Sequence, residues 1–168
     1  MKLAVIYDSK TENTKQAAEW IVEGMCEAGD VEAAAYHIGE VDDAYVKEAK
    51  GVVFGSPSYM ALMTPDMRTF LQSRTGDLSL AGKLGGAFAT EQYTHGGAEN
   101  VIQSILTAEM VRGMLCYSGG AACGKPVIHL GPVGVNNNVE EHNGLEHYRE
   151  YFRVYGRRFA AKAAELFS

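Results

Sequence analysis

The residues best suited to chemistry lie in polar stretches that follow short apolar runs. The first is "YDSKTENT", where Ser9, Thr11 and Thr14 offer hydroxyls, Asn13 an amide, and Lys10 and Glu12 opposite charges. A phosphomonoester needs several donors aimed at one point, and a helix N-terminus adds free backbone N–H groups and partial positive charge. No arginine stands in the stretch, so a phosphate held there is neutralised by hydrogen bonds. An ordinary helix cap is the simpler alternative, but one such side chain would suffice for it. The second stretch, "SPSYMALMTP", contributes Pro57, Ser58, Tyr59, Met60 and Ala61. The third, "TEQYTHGGAEN", contributes Glu91, Gln92, Tyr93, Thr94, His95, Gly96 and Gly97. His95 is the candidate proton donor, because histidine titrates near neutral pH; a loop histidine contacting ligand or solvent is the alternative. The last, "GPVGVNNNVEEHNG", holds His142, read as exposed, and Asn136, Asn137 and Asn138, read as turn geometry. Neither a Ser-His-Asp set nor a metal-ligand cluster stands out, and no metal is expected.

Those stretches need elements to bring them together. Leu3 to Tyr7 is a continuous β-rich apolar run, as for a strand buried on both faces. Ala17, Ile21 and Met25, with Ala18 and Val22, then recur at helical spacing, and Gly29 stands where that helix should stop. Val31 to Ile38 suits a strand or, through "EAAAY", a helix. "VDDAYVKEA" predicts a short helix, and Gly51 to Gly55 a buried strand. Pro65 opens a helix marked by Met67, Phe70 and Leu71. Leu84 to Thr90 predicts a strand, and Ile102, Ile105, Leu106 and Met110 a helix ending at Gly113. "PVIHLG", residues 126–131, is read as the fifth strand. Leu145, Tyr148, Phe152, Tyr155 and Phe159 mark a long closing helix. Alternating strands and helices imply an α/β fold, a five-stranded parallel sheet with helices on both faces. Ligands of such sheets gather at the carboxyl ends of the strands, where every polar stretch above falls.

Composition limits the function classes. The chain has 168 residues, enough for one domain with a substantial core, and residues 1–168 are read as that single domain. A net charge of −6 supplies no basic stripe for nucleic acid. No apolar run reaches membrane-spanning length, and the N-terminus enters a strand pattern at once; the chain reads as cytoplasmic. Cys26, Cys116 and Cys123 lack C-x-x-C spacing, which indicates neither a disulfide framework nor zinc. Cys116 and Cys123 flank a glycine-rich stretch and are read as buried or inert thiols, with a redox pair as the alternative.

"YDSKTENT" resembles the phosphate loop of flavodoxin-like proteins, a Ser or Thr followed by x-T-G-N-T. "GSPSYMALMTPDMRTFLQ" and "THGGAENVIQSILTAEMVRGM" resemble the second and third FMN loops of the WrbA-type NAD(P)H:quinone oxidoreductases. The resemblance spans nearly the whole chain, in order, and implies a flavodoxin-like three-layer sandwich with strand order 2-1-3-4-5 and FMN at the β1/β3 switch point. By it, Ser9, Lys10, Thr11, Glu12, Asn13 and Thr14 surround the phosphate. Pro57 to Ala61 meet the isoalloxazine, on which Tyr59 could stack, and Glu91 to Gly97 flank its pyrimidine side. Glu12 stands where the family has glycine; its carboxylate opposes a phosphate unless it turns outward to water. The implied function is NAD(P)H-dependent, two-electron reduction of quinones or similar acceptors by bound FMN. The alternative is a flavodoxin-like electron carrier serving a redox partner protein. A homodimer or homotetramer is implied in either case.

Overall fold

The computed structural model describes residues 1–137 and 144–168, so the readings for Asn138 and His142 lie outside the described residues. The apolar runs become β1 (Lys2–Tyr7), β3 (Gly51–Pro57) and β4 (Leu84–Glu91), buried almost throughout. β2 (Glu32–His37) pairs in parallel with β1 along its whole length, which resolves the strand-or-helix ambiguity of "EAAAY". An edge position explains the ambiguity: its side chains are only half-buried, so no continuous apolar run is required.

Between the strands lie α1 (Asn13–Cys26), α2 (Asp43–Glu48), α3 (Pro65–Thr69), α4 (Ala98–Val111) and α5 (Arg149–Phe167). Thr64 caps α3, its hydroxyl accepting the Met67 N–H at 3.1 Å, and Pro65 fills the first helical position as its missing N–H allows. Alternation along β1 sorts the two layers. Leu3, Val5 and Tyr7 pack under α1 and α5, while Ala4 and Ile6 pack under α3 and α4 with Met67, Val101, Ile102 and Ile105. The two helices over the first face touch closely: a Cβ on Gly24 would meet the Arg153 carbonyl at 2.0 Å, and one on Gly156 the Ile21 carbonyl at 2.1 Å.

The sheet runs β2-β1-β3-β4, all parallel, and the fifth position beyond β4 is divided. Its first half is β5 (Leu115–Cys116) beside Leu84 and Gly85; its second is β6 (Val133–Val135) beside Ala89 to Glu91. Residues 117–132 loop out between them. "PVIHLG", read as the fifth strand, lies on that excursion and pairs with nothing in the sheet. Its apolar character serves packing instead, with Ile128 buried and Val127 and Leu130 exposed. The true strand pieces are too short for any periodicity to mark. The fully buried Tyr155 hydroxyl fills the break, donating to the Tyr117 carbonyl at 3.0 Å and meeting the Ala87 N–H.

Glu109 of α4 is buried beside this break. It accepts the Gly86 N–H, stands 3.5 Å from the Cys116 Sγ, and its Oε1 has no partner. Burial raises the carboxyl well above its ordinary range and pushes the Cys116 thiol up to about 12. Cys116 and Cys123 are exposed residues, so of the reading as buried or inert thiols the first half does not hold, while the partly buried Cys116 sulfur beside Glu109 is inert. Because the folded carboxyl titrates above the unfolded one, its stabilising contribution is complete below the unfolded value, near 4.3, and is lost as pH rises toward the folded value. Glu109→Gln should therefore flatten that decline. At pH 8 it should gain on the order of 1–3 kcal/mol, the cost of a buried, poorly partnered polar group; urea denaturation at pH 5 and pH 8 measures the difference.

Candidate functional site

The carboxyl ends of β1, β3, β4 and β6 open into one cleft of about 550 Å³, within the usual range for small-molecule sites. Thr11 and Asn13 line it from the first loop, Pro57 to Ala61 from the second, and Glu91, Gln92, Tyr93 and Gly96 from the third. Thr90 and Asn136 also line it, and neither stands out in the sequence as more than a strand end and a turn residue. Their signal is position alone, since Thr90 stands next to the last residue of β4 and Asn136 just past β6. A larger groove of about 650 Å³ runs between α3 and α4, walled by Leu62, Met63, Leu71 and Val111. It contains no residue of the first loop or of a strand end, and so none of the donor set.

The first loop is built around a strained corner. Glu12 takes left-handed backbone angles (φ 65°, ψ −11°), and α1 begins at the next residue. The first rung of the helix ladder is Gln16 N–H to Glu12 carbonyl at 2.9 Å, so the N–H groups before it face the loop. Lys15 N–H leans on the Ser9 Oγ at 3.3 Å, and the Asn13 amide donates to the Thr11 hydroxyl at 3.2 Å. Thr14 is directed elsewhere: it is buried, and its hydroxyl pairs with that of Thr90 at 2.8 Å, joining α1 to β4. Lys10 reaches across to Asp66 at 2.5 Å and stands 3.5 Å from the buried Asp8. Asp8 accepts the Thr64 hydroxyl at 2.5 Å, which ties the first loop to the start of α3.

Glu12 turns outward, highly exposed and paired with Lys15 at 2.9 Å. Its charge is thus held away from the donors, and the cost of replacing glycine falls on the backbone. Left-handed angles cost an L-residue roughly 1–2 kcal/mol, while an exposed ion pair contributes little. Glu12→Gly should raise stability by about 0.5–1 kcal/mol net of glycine's greater unfolded entropy, a rise of roughly 1–4 °C in Tm. Glu12→Gln keeps the strain and removes only charge, so it should leave Tm unchanged while tightening anion binding slightly at low salt.

The second loop closes as a two-residue turn. Tyr59 and Leu62 exchange two backbone hydrogen bonds, at 2.9 and 3.0 Å, with Met60 (φ 53°) and Ala61 (φ 61°) at the corner. Positive φ at both central positions is usually met by Asn or Gly, so this corner is strained. Met60 at its tip is 95% exposed. Gly97 makes room behind it: at φ 83°, a Cβ there would lie 2.3 Å from the Ala61 Cβ. The Ser58 hydroxyl donates to the Gly96 carbonyl at 2.7 Å and fastens the second loop to the third.

Glu91 organises the third loop. It is 6% exposed, and its Oε2 accepts the Ala98 N–H at 3.0 Å, capping α4 from the strand end because Gly97 has no side chain to do so. The Gly96 N–H also reaches it, and burial raises its carboxyl above the ordinary range despite these bonds. Tyr59 and Tyr93, about half exposed, flank the mouth. His95 and Thr94 are exposed between the lining residues Tyr93 and Gly96, outside the wall itself. Among the described residues no cluster of three or more His, Cys, Asp or Glu could hold a metal ion, and no helix is long and apolar enough to cross a membrane.

A parallel sheet in the order 2-1-3-4-5, with a donor-rich cleft where strand order reverses, defines the flavodoxin-like class. The donor set fits FMN: hydroxyl, amide and helix N–H groups gather at one end and tyrosines flank the other, with the Glu12 carboxylate at the N-cap exposed and paired with Lys15. The comparisons agree. Residues 1–125 match the profile of the family described as NADPH-dependent FMN reductase. The chain is 36% identical over 167 residues to a flavodoxin of Clostridium saccharobutylicum, covering 99% of this chain and 100% of that one. It is 34% identical over 143 residues to an NAD(P)H dehydrogenase (quinone) of Geotalea daltonii, covering 68% and 69%. In structure it is similar to the flavodoxin, WrbA-like protein of Agrobacterium tumefaciens, with a TM-score of 0.78 at 23% identity over 98% of both chains. The chain belongs to the flavodoxin-like family of FMN-binding proteins.

Proposed function

We propose that this protein uses bound FMN to take electrons from NADH or NADPH and to pass them, two at a time, to a quinone or similar small acceptor. The observation that carries this reading is the solvent-open cleft flanked by the half-exposed Tyr59 and Tyr93, aromatic faces suited to a flat acceptor. When bound, FMN supplies the redox chemistry, and the protein contributes binding, orientation and electrostatics. Thr11, Asn13 and the N-terminus of α1 would hold its phosphate. The Met60–Ala61 turn and the Glu91-capped loop would set the walls, with Tyr59 and Tyr93 stacking at the edges. The similarity to the NAD(P)H dehydrogenase (quinone) of Geotalea daltonii supports this choice of donor and acceptor.

A second reading, an electron carrier for a redox partner protein, is favoured by the end-to-end match to the Clostridium saccharobutylicum flavodoxin. One anaerobic experiment separates the two. The enzyme reading expects NADH or NADPH alone to bleach the flavin band of the FMN-loaded protein and an added quinone to restore it. Inertness toward both nucleotides, with rapid exchange of electrons with a one-electron redox protein, would establish the carrier instead. In either role we place the protein in the cytoplasm, as a homodimer or homotetramer; light scattering at micromolar concentration reads that state directly.

A further inference from the structure

Glu91 is a buried acid in the wall of the cleft, and nothing in the reading above requires it to be charged. Its Oε2 is fixed by the Ala98 N–H, its backbone carbonyl accepts the Asn136 N–H at 2.9 Å, and the Gly96 N–H it receives belongs to the residue held by Ser58. The carboxylate therefore cannot swing away when the cleft is filled. Among the described residues its electrostatic neighbours are Glu99 on α4, His95 on the loop, and Tyr148 on the turn at Leu145–Tyr148. None is a lysine or arginine. Capping α4 needs only an acceptor, which an uncharged amide oxygen also provides.

We propose that Glu91 sets the reduction potential of the bound flavin, holding one fixed negative charge in the wall against the charge that reduction adds. The inference rests on FMN occupying this cleft. Hydride transfer oxidises NADH or NADPH to its cationic nicotinamide form and leaves the flavin one unit more negative, carrying both electrons and the hydride's proton. That added charge meets the Glu91 carboxylate in a partly water-excluded space, where repulsion is stronger than in bulk water. Ionised Glu91 disfavours the reduced cofactor; protonated Glu91 does not. Because burial lifts this carboxyl above the ordinary range, the change between the two states falls at higher pH than for a free carboxylate.

The test begins with FMN affinity in the wild-type protein, by fluorescence quenching. Absence of saturable binding defeats the functional reading itself and is thereby distinguished from failure of this inference. With FMN bound, the two-electron midpoint potential is measured from pH 5 to pH 8 against reference dyes. Glu91→Gln should favour the reduced flavin about tenfold at pH 8, a rise of roughly 30 mV for a two-electron couple. The two proteins should converge as pH falls and wild-type Glu91 takes up its proton. Glu91→Asp, which keeps the charge, should stay close to wild type. Glu91→Thr, with a hydroxyl to cap α4, repeats the measurement if the Gln variant does not fold. Equal potentials at all pH values would overturn the proposal. So would an offset that does not vary with pH, because it would report a change of loop shape and not a lost charge.

Discussion

Thr11→Val and Asn13→Ala should each weaken FMN binding by about 1–3 kcal/mol, the cost of removing a hydrogen bond to a charged group. Both side chains line the cleft at the start of α1, and they are bonded to one another at 3.2 Å, so each also orients the other. Residues this closely coupled need not contribute additively, and the double variant should lose less than the sum. Riboflavin is the control: lacking the phosphate, its affinity should be unaffected by either change. Ser9→Ala should have a smaller effect, since the Ser9 Oγ is already engaged by the Lys15 N–H. Fluorescence-quenching titrations of both flavins measure the set. Unchanged FMN affinity would reduce "DSKTENT" to a helix cap.

Gly97→Val should remove the binding site while leaving most of the fold. The position combines a left-handed φ of 83° with a wall of Ala61 atoms, its Cβ at 2.3 Å and its Cα at 2.8 Å from where a side chain would begin. A β-branched residue there meets backbone strain of about 1–3 kcal/mol and overpacking of similar size. The turn at Met60 and Ala61 is itself strained and highly exposed at its tip, so it is the part that gives way. We expect a loss of about 2–4 kcal/mol in stability and at least about a tenfold loss in FMN affinity, since each 1.4 kcal/mol is tenfold. Circular dichroism and the same titration separate the two effects. An FMN affinity equal to wild type would mean that the second and third loops need not touch.

Much of this architecture is written locally. The runs at Leu3–Tyr7 and Gly51–Gly55 become strands because a parallel strand covered on both faces must be apolar throughout, and Pro65 after Thr64 starts a helix on cap chemistry alone. The donors of "YDSKTENT" are equally legible, because a strand followed by hydroxyls, an amide and a helix onset is complete within one short window. Glu12 shows where such a window ends: its identity flags a conflict, but only the backbone angles show the side chain turned outward to Lys15 and the cost moved into φ.

Tertiary structure decided the rest, because pairing across the sheet couples residues far apart in the chain. The fifth strand is divided because β4 pairs with Leu115–Cys116 at one end and Val133–Val135 at the other, and neither piece is long enough to carry a pattern. Thr14 has the composition of a phosphate donor, yet the end of β4 lies close enough for Thr90 to take its hydroxyl. Asn136 joins the wall because β6 ends beside Glu91. Glu91 itself has nothing in its neighbours to mark it; the α4 N-terminus folds back onto it, and that approach turns a strand-end carboxylate into a buried, fixed charge. By itself the sequence determined which groups were available, in what order, and on which local elements. Which groups face one another was settled by strand register and helix packing, whose energy comes from apolar surfaces brought together across the whole chain.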